Sequence, residues 1–288
     1  MEATTVGAAL ARGVERLRAR GDGARYDATL LLGDALGRDA AWILAHGDEP
    51  LGAGAADRFA ASLLRRAAGE PVPYIVGAAG FFGRAFAIDR NVLVPRPETE
   101  GAVEAALAHL RAEGPAAPRL CDVGTGSGVI AITLACELPD ARVVASDVSA
   151  AALAVAERNA HAHGVAARIA FRCAAGMPQP GPDARYEAIV ANLPYVKSAE
   201  LRPAPDPTSF EPRIALDGGA DGLASYRDLL AAAPSALAPG GLLVMEAGPD
   251  TVPALAALAA DAFAGAGDVR VQHDLAGLER LVLVRAHG

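Results

Sequence analysis

Residues 120–130, Leu-Cys-Asp-Val-Gly-Thr-Gly-Ser-Gly-Val-Ile, decide the fold of this 288-residue chain. Apolar residues lead into the stretch and out of it, and three glycines separated by single residues lie between them. This pattern is typical of a strand that turns into a helix, where glycines let a ligand approach the N–H groups at the helix N-terminus. Because residue 129 is valine, the spacing is G-x-G-x-G and differs from the G-x-G-x-x-G of dinucleotide-binding loops.

Two carboxylates accompany this glycine loop. Asp122 precedes the first glycine by two residues, where it would repel a pyrophosphate but would suit an ammonium or sulfonium charge. Asp147 ends the next apolar run, 147 − 124 = 23 residues after Gly124, which suits a carboxylate that accepts both hydroxyls of an adenosine ribose. Alternatively, Asp147 caps the helix that starts near Ser149. Together, the loop and Asp147 favour S-adenosylmethionine over NAD as the ligand.

From Pro118 onward, strand-like apolar runs alternate with helical ones. This alternation predicts an α/β domain, doubly wound around a mostly parallel sheet of about seven strands. The predicted strands are Arg119–Val123, Arg142–Ser146, Arg168–Arg172, Tyr186–Ala191, Leu242–Glu246, Val269–His273 and Leu281–Val284. The predicted helices are Val129–Leu138, Ala150–Ala162, Tyr226–Leu237 and Val252–Phe263.

The first part of the chain has a different pattern. Apolar residues recur at helical spacing from Thr5 to about Ala68, which predicts four or so helices. Short β-prone runs follow between glycines, at Tyr74–Gly77, Phe81–Gly83 and Val92–Val94, and they predict a hairpin-like connector. We therefore predict a helical domain over residues 1–70, a connector over 71–96 and the α/β domain over 97–288.

Composition narrows the function classes. A formal net charge of −8 with a single lysine argues against broad electrostatic capture of nucleic acid, so no stable nucleic-acid complex is expected. The three cysteines show no Cys-x-x-Cys spacing, so neither a disulfide framework nor a metal site is predicted. With no secretory signal and no membrane helix in the pattern, we expect a cytoplasmic protein.

Asn192-Leu193-Pro194-Tyr195 follows the predicted strand Tyr186–Ala191 and therefore lies at the same sheet edge as the glycine loop. Asn and Pro also end strands for purely structural reasons. As a site, the Asn192 side-chain oxygen and the Leu193 carbonyl could accept hydrogen bonds from both N–H groups of a planar amide or exocyclic amine. Pro194 keeps residue 193 extended, and Tyr195 offers a flat face to a planar group.

This tetrapeptide resembles the (Asn/Asp/Ser)-Pro-Pro-Tyr motif of amino-methyltransferases. Further stretches resemble the HemK/PrmC protein-(glutamine-N5) methyltransferases, and they are residues 69–77, 81–86, 94–100, 211–213 and 215–223. The resemblance implies a class I S-adenosylmethionine-dependent methyltransferase fold, Rossmann-like, with a small helical N-terminal domain and a β-hairpin connector. It also implies methyl transfer from S-adenosyl-L-methionine to the glutamine N5 of the Gly-Gly-Gln motif in peptide chain release factors. S-adenosyl-L-homocysteine would be the product, and the enzyme is expected to be a monomer.

The resemblance also implies roles for individual residues. The catalytic residues would be Asn192, Leu193, Pro194 and Tyr195, and the same motif with Arg96 and Glu98 would bind the substrate glutamine. The cofactor would be bound by Asp122, Gly124, Thr125, Gly126, Ser127, Gly128, Asp147, Val148, Asn192, Pro97 and Thr99. Structurally, Pro97-Glu98-Thr99 also reads as the start of a helix.

Two departures from the family pattern leave alternatives open. Leu193 stands where the family usually has proline, and Ala175 stands where an Asp commonly accepts the adenine amino group. Asp183 or a backbone carbonyl could replace that Asp. The alternatives are methylation of another protein amide, methylation of adenine N6 in nucleic acid, or a catalytically silent cofactor-binding paralogue.

Overall fold

The computed structural model describes residues 4–21, 23–181 and 184–288, and the chain divides into two compact units. The smaller unit comprises the residues up to Ala78 together with Arg202–Phe210. The larger unit comprises Ala79–Leu201 and Glu211–Gly288. This division does not follow the predicted boundaries after residues 70 and 96, which stay predictions. In the described part of the chain, no helix is both long enough and apolar enough to cross a membrane.

The smaller unit is helical, and two of its helices begin at side-chain caps. Thr5 Oγ1 accepts a hydrogen bond from Ala8 N at 3.2 Å, and Asp39 Oδ1 accepts one from Trp42 N at 2.7 Å, which satisfies N–H groups of the first turns. Buried leucines at helical spacing form its core. The described helices of this unit are α1 Val6–Leu17, α2 Ala24–Leu36, α3 Ala40–Ala45, α4 Ala53–Ala67 and α5 Val72–Val76.

Two of the predicted β-prone runs are wrong. Tyr74–Val76 belongs to the short helix α5, because Pro71 precedes its first residue and Gly77, in the left-handed conformation with φ 75°, ends it. Val92–Val94 forms no strand; instead, Val94 N donates to Glu211 Oε1 at 3.2 Å. Here the turn residues and a buried carboxylate outweigh the β propensity of the side chains.

The third β-prone run does form a hairpin. Strand β1 Ala78–Phe81 and strand β2 Arg84–Ala87 pair around Phe82 and Gly83, both with positive φ, as a two-residue hairpin turn requires. Phe82 N donates to Glu100 Oε1 at 2.6 Å, so the turn is tied to the helix that begins at Glu100.

A seven-stranded sheet organises the larger unit. Its strands are β3 Arg119–Val123, β4 Arg142–Asp147, β5 Ile169–Cys173, β6 Tyr186–Ala191, β7 Leu237–Glu246, β8 Gly267–His273 and β9 Glu279–Ala286. They lie in the order β5-β4-β3-β6-β7-β9-β8. The strands β3 to β7 pair in parallel and β9 runs antiparallel to both of its neighbours, which confirms the predicted mostly parallel sheet of about seven strands. The helices around it are α6 Glu100–Glu113, α7 Val129–Glu137, α8 Ala150–Ala162, α9 Ala224–Ala236 and α10 Val252–Phe263.

The strand order creates a switch point between β3 and β6. From β3 the chain continues outward to β4 and β5, and then returns to β6 on the other side of β3. Val123 pairs with Ala191, so Gly124 and Asn192 leave the sheet side by side. Ligands of open α/β sheets bind at the carboxyl ends of the strands at such a point. The sheet therefore brings together two motifs that lie 192 − 124 = 68 residues apart.

Candidate active site

A cavity of about 310 Å³ opens at the carboxyl ends of β3, β4 and β6, within the larger unit. Small-molecule sites are commonly of this size or larger. Eleven predicted site residues line it: Arg96, Thr99, Gly124, Thr125, Gly126, Ser127, Asp147, Val148, Asn192, Leu193 and Pro194. Five predicted site residues do not line it: Asp122, Gly128, Pro97, Glu98 and Tyr195. Within the described ranges, no cluster of three or more His, Cys, Asp or Glu residues could hold a metal ion.

Hydrogen bonds to β4 fix the conformation of the glycine loop. The N–H groups of Gly124 and Thr125 donate to the Ser146 carbonyl at 2.9 and 2.8 Å, and Gly126 N donates to Asp147 Oδ2 at 2.9 Å. At Gly126, φ is 54° and no atom lies within 4 Å of where a Cβ would stand. A ligand in the cavity can therefore approach the main chain at Gly126 directly.

Gly128 serves packing instead of lining the cavity. Its φ is 84°, and a Cβ there would lie 2.8 Å from Ile132 Cδ1 and 3.1 Å from Ala156 Cβ. Only glycine combines this conformation with close contact between α7 and α8. The structure thus gives this residue a reason to be glycine that differs from the predicted cofactor contact.

Asp122 differs from the prediction that it contacts a ligand. Its side chain is fully buried beneath the loop, where Oδ2 accepts hydrogen bonds from Thr125 Oγ1 at 2.6 Å and Ala131 N at 3.1 Å. Burial raises its pKa to about 7, although the hydrogen bonds from Thr125 and Ala131 act in the opposite direction. Asp122 therefore connects the loop to the first turn of α7.

This pKa predicts a pH-dependent stability. Between about pH 4 and pH 7, folded Asp122 holds a proton that the unfolded chain has released, so the free energy of unfolding falls as pH rises through this window. Asp122→Asn binds no proton in either state, and we expect a smaller slope of melting temperature against pH. Differential scanning calorimetry of the wild type, Asp122→Asn and the exposed control Asp250→Asn measures this slope. Equal slopes in all three proteins would contradict the assignment.

Both oxygens of Asp147 already bind the main chain. Oδ2 accepts from Gly126 N, and Oδ1 accepts from Ser149 N at 2.9 Å. The cap of α8 is Ser149, whose Oγ accepts from Ala152 N at 3.1 Å, so Asp147 is not the capping residue. Each carboxylate oxygen has further lone pairs, and these can accept hydroxyl groups of a ligand in the cavity.

The amide of Asn192 is held by a buried threonine. Asn192 Nδ2 donates to Thr99 Oγ1 at 3.0 Å, and Thr99 is only 3% exposed. Pro97–Thr99 forms a single 3-10 turn that precedes α6, with Pro97 and Glu98 exposed, so these residues do start a helix. The side-chain oxygen of Asn192 accepts no hydrogen bond from the described residues, and it remains available at the cavity wall.

Leu193 is fixed by a residue that the sequence did not single out. The buried hydroxyl of Tyr226, on α9, lies 3.2 Å from both the N–H and the carbonyl of Leu193, accepting from the first and donating to the second. The Leu193 side chain packs against the glycine loop, because a Cβ at Gly124 would lie 2.8 Å from its Cδ2. A second lone pair of the Leu193 carbonyl stays available to a substrate N–H.

Removing this hydroxyl is expected to loosen the motif. Tyr226→Phe leaves buried main-chain groups without their partner, which costs about 1–3 kcal/mol of stability, and we expect a roughly tenfold lower kcat from misplacement of Leu193. Urea unfolding and steady-state kinetics measure the two effects. Tyr186→Phe is the matched control, since its hydroxyl binds the Pro178 carbonyl at 3.0 Å and not the motif. Equal kcat values for the two variants would contradict a role for Tyr226 in placing Leu193.

Tyr195 turns away from the cavity. Its ring packs on Gly248, where a Cβ would lie 3.5 Å from Tyr195 Cδ2, and it contacts the main apolar core. Burial raises its pKa to about 12, so the hydroxyl stays protonated. The predicted flat face for a planar substrate group is therefore not part of the cavity wall.

The segment after the motif wraps around it. Val196 N donates to the Leu216 carbonyl at 3.0 Å, and Gly218 N donates to the Val196 carbonyl at 2.8 Å. At Gly222, with φ 80°, a Cβ would overlap the carbonyl oxygen of Tyr195. The glycines of residues 218–222 thus permit close contact with the main chain of Pro194–Val196.

Arg96 is positioned by a buried glutamate. Its Nη2 lies 2.6 Å from Glu211 Oε2, and the Glu211 side chain is 1% exposed. Glu211 Oε1 also accepts from Val94 N, so one carboxylate fixes the segment that carries Arg96. The sequence marked Glu211 only as part of a family stretch, without a role.

Asn159 was also missed by sequence reasoning. Its Nδ2 donates to the carbonyls of Ser127 at 2.8 Å and Ala87 at 3.0 Å, while its Oδ1 accepts from Ala87 N at 2.8 Å. One buried side chain therefore joins the glycine loop, strand β2 and helix α8. No local pattern distinguishes it from a solvated helical asparagine.

The far end of the cavity is lined by Ala174, Ala175 and Gly176, which follow β5. Ala175 has no acceptor in its side chain, so this wall offers only main-chain groups at that position. Asp183, the suggested replacement acceptor, lies outside the described residues.

The sheet order and the glycine loop define a class, the class I S-adenosylmethionine-dependent methyltransferases. A methyltransferase from Pyrococcus furiosus shares this fold, with a TM-score of 0.51 and 16% identity over 73% of this chain and 91% of that chain. Family models for the methyltransferase small domain and the PrmC N-terminal domain match residues 99–204 and 8–77.

Two relatives narrow the class. The release factor glutamine methyltransferase of Bordetella pertussis is 44% identical over 260 residues, which cover 89% of this chain and 93% of the relative. That of Cereibacter sphaeroides is 45% identical over 282 residues, which cover 96% of this chain and 97% of the relative. The chain belongs to the release factor glutamine methyltransferase family, which confirms the resemblance found in the motifs.

Proposed function

We propose that this protein methylates the side-chain amide N5 of the glutamine in the Gly-Gly-Gln motif of peptide chain release factors. Relatives named for release factor glutamine methylation match nearly the whole chain. The observation that carries the proposal is the Asn192 amide, which lines the cavity beside the glycine loop and whose nitrogen, bound by Thr99, leaves the oxygen free to accept. Because this substrate acts in translation, we propose a cytoplasmic location for the enzyme.

The residues around the cavity fit S-adenosyl-L-methionine as cofactor. Gly126 leaves open space at the main chain, and Asp147 presents carboxylate oxygens at the end of β4. Gly124–Ser127, Asp147 and Val148 would hold the adenosine and methionine parts, with Thr99 at the edge next to Asn192. When bound, this cofactor supplies an electrophilic methyl group on a positively charged sulfur.

The chain's own groups bind and orient the amide. A glutamine amide is planar and its nitrogen lone pair is delocalised, so it is a weak nucleophile. Asn192 Oδ1 and the Leu193 carbonyl would each accept one N–H of that nitrogen, holding it in place as positive charge develops on it. Because Thr99 and Tyr226 hold these two acceptors from behind, little reorganisation is needed during the reaction.

One assay tests this function. The protein is incubated with methyl-labelled S-adenosylmethionine and, separately, a recombinant release factor, the same factor with Gly-Gly-Ala in place of Gly-Gly-Gln, RNA and DNA. We expect label on the glutamine of the first substrate alone, located by mass spectrometry. Label on adenine would support the nucleic-acid alternative instead. Bound cofactor with no label on any substrate would support the catalytically silent alternative.

A further inference from the structure

The hydroxyl hydrogen of Thr99 decides whether the oxygen or the nitrogen of the Asn192 amide faces the cavity. A threonine hydroxyl has a single hydrogen to donate and lone pairs to accept with. When Thr99 Oγ1 accepts from Asn192 Nδ2 at 3.0 Å, its own hydrogen must go to a third group. Thr99 is 3% exposed, so that group belongs to the protein interior.

Glu246 lies where it can accept this hydrogen. It follows Met245, which pairs with Ala191, and therefore ends β7 next to Asn192. Its side chain is 1% exposed and lies close enough to the Thr99 hydroxyl for Thr99 to lower its pKa, while Oε2 is buried without a hydrogen-bond partner in the described part of the chain.

The main chain of the same glutamate lies beside the second acceptor. The Glu246 carbonyl also contacts Tyr226 Oη, so the single hydrogen of that hydroxyl is shared between the carbonyls of Glu246 and Leu193. Glu246 is thus connected to Asn192 through its side chain and to Leu193 through its backbone.

We propose that Glu246 and Thr99 are positioning residues that set the direction of the Asn192 amide. Ionised Glu246 accepts the Thr99 hydrogen, Thr99 accepts from Asn192 Nδ2, and Asn192 Oδ1 faces the substrate. This inference rests on the proposed function, in which that oxygen accepts an N–H of the target amide.

We call this chain of hydrogen bonds through Glu246, Thr99 and Asn192 the relay. Protonation of Glu246 reverses its direction. Protonated Glu246 donates to Thr99 Oγ1, which then donates to Asn192 Oδ1, and the amide turns by about half a rotation so that its NH₂ group faces the substrate N–H groups. Two donors cannot bind each other, so this state is inactive. In both states the side chains of Glu246, Thr99 and Asn192 are hydrogen-bonded to one another. The charge on Glu246 selects which of the two states is populated.

The surroundings place this switch near neutral pH. Burial raises the pKa of Glu246 to about 7, against the Thr99 hydrogen bond, which lowers it. Of the nearby charges, Arg280 on β9 and Arg96 favour the ionised form and Glu98 opposes it, while Tyr195 stays neutral. Because the active state requires the ionised form, activity is expected to fall as pH drops below about 7.

Kinetics against pH test the relay. In the wild type we expect kcat at saturating substrates to fall about tenfold per pH unit below pH ~7, as the ionised fraction does. Glu246→Gln should have a lower kcat without this acid limb, and Glu104→Gln, an exposed carboxylate on α6, should keep the wild-type profile. An unchanged acid limb in Glu246→Gln would overturn the proposal.

A conservative pair separates positioning from packing. Thr99→Val keeps the volume but loses the hydroxyl, and we expect kcat to fall roughly 10- to 100-fold. Thr99→Ser keeps the hydroxyl and should restore most of this loss. Equal losses in both variants would overturn the relay.

A spectroscopic readout does not depend on the substrate. The ¹⁵N side-chain signal of Asn192, identified by its loss in Asn192→Ala, should titrate near pH 7 in the wild type and in Glu104→Gln, but not in Glu246→Gln. Titration without methylation of the release factor would refute the proposed function alone. Methylation without titration or an acid limb would refute the positioning role alone.

Discussion

Asn192→Ala is expected to lower kcat by roughly 10²- to 10³-fold, the usual cost of removing one preorganised hydrogen-bonding group from a reacting centre. Asn192 Oδ1 is the one side-chain acceptor that the motif offers to the substrate amide, and alanine leaves an N–H of that amide unbound. The glycine loop and Asp147 do not depend on this side chain, so cofactor affinity should change little. Single-turnover methylation of a release factor and calorimetric titration of S-adenosylmethionine measure the two quantities.

Asn192→Asp is the matched comparison. Aspartate keeps an acceptor oxygen of the same shape but loses the N–H that Thr99 accepts, so we expect an activity between those of the wild type and the alanine variant. Unchanged turnover in Asn192→Ala would remove this residue from the mechanism. A parallel loss of cofactor binding would mean that the side chain supports the loop instead of the substrate.

Gly222→Ala is expected to destabilise the larger unit by about 2–5 kcal/mol, the sum of left-handed backbone strain and overpacking. At φ 80°, its methyl group would overlap the Tyr195 carbonyl and approach Thr251 Cγ2 to 3.0 Å. Because the clash pushes on the main chain of the Asn-Leu-Pro-Tyr motif, kcat should fall as well. Urea unfolding and the methylation assay measure both effects.

Gly277→Ala separates the cost of backbone strain from the cost of overpacking. Gly277 has nearly the same φ, 79°, but no atom lies within 4 Å of where its Cβ would stand. We expect only the conformational cost of about 1–2 kcal/mol and normal turnover. Equal destabilisation by the two substitutions would mean that contact with Tyr195 costs nothing.

Local patterns were sufficient for most of the fold. Apolar runs of strand length between helical runs predicted the strands of the large sheet. The reason is clearest for the central strands β3, β6 and β7, which are buried and read as continuous apolar segments. The two wrong β-prone runs, at Tyr74–Val76 and Val92–Val94, are short. In such runs, turn residues and distant partners outweigh propensity.

Spacing also located part of the candidate site. The glycine loop and Asp147 belong to one strand-loop-helix-strand unit, in which the separation of the loop and the carboxylate is nearly constant. Gly128 and Asp122 show the limit of such rules. A glycine needed for helix packing and a carboxylate buried beneath a loop have the same letters as ligand-binding residues.

The sequence by itself determined the class of fold, the family and the group of residues at the cavity, because hydrophobic period and motif spacing are local properties. Only the tertiary structure decided how the Asn-Leu-Pro-Tyr motif is held and which way its groups face. Thr99, Tyr226 and Glu246 meet there from three separate elements. Their hydrogen bonds depend on strand register and helix packing, and no local pattern of residues records either.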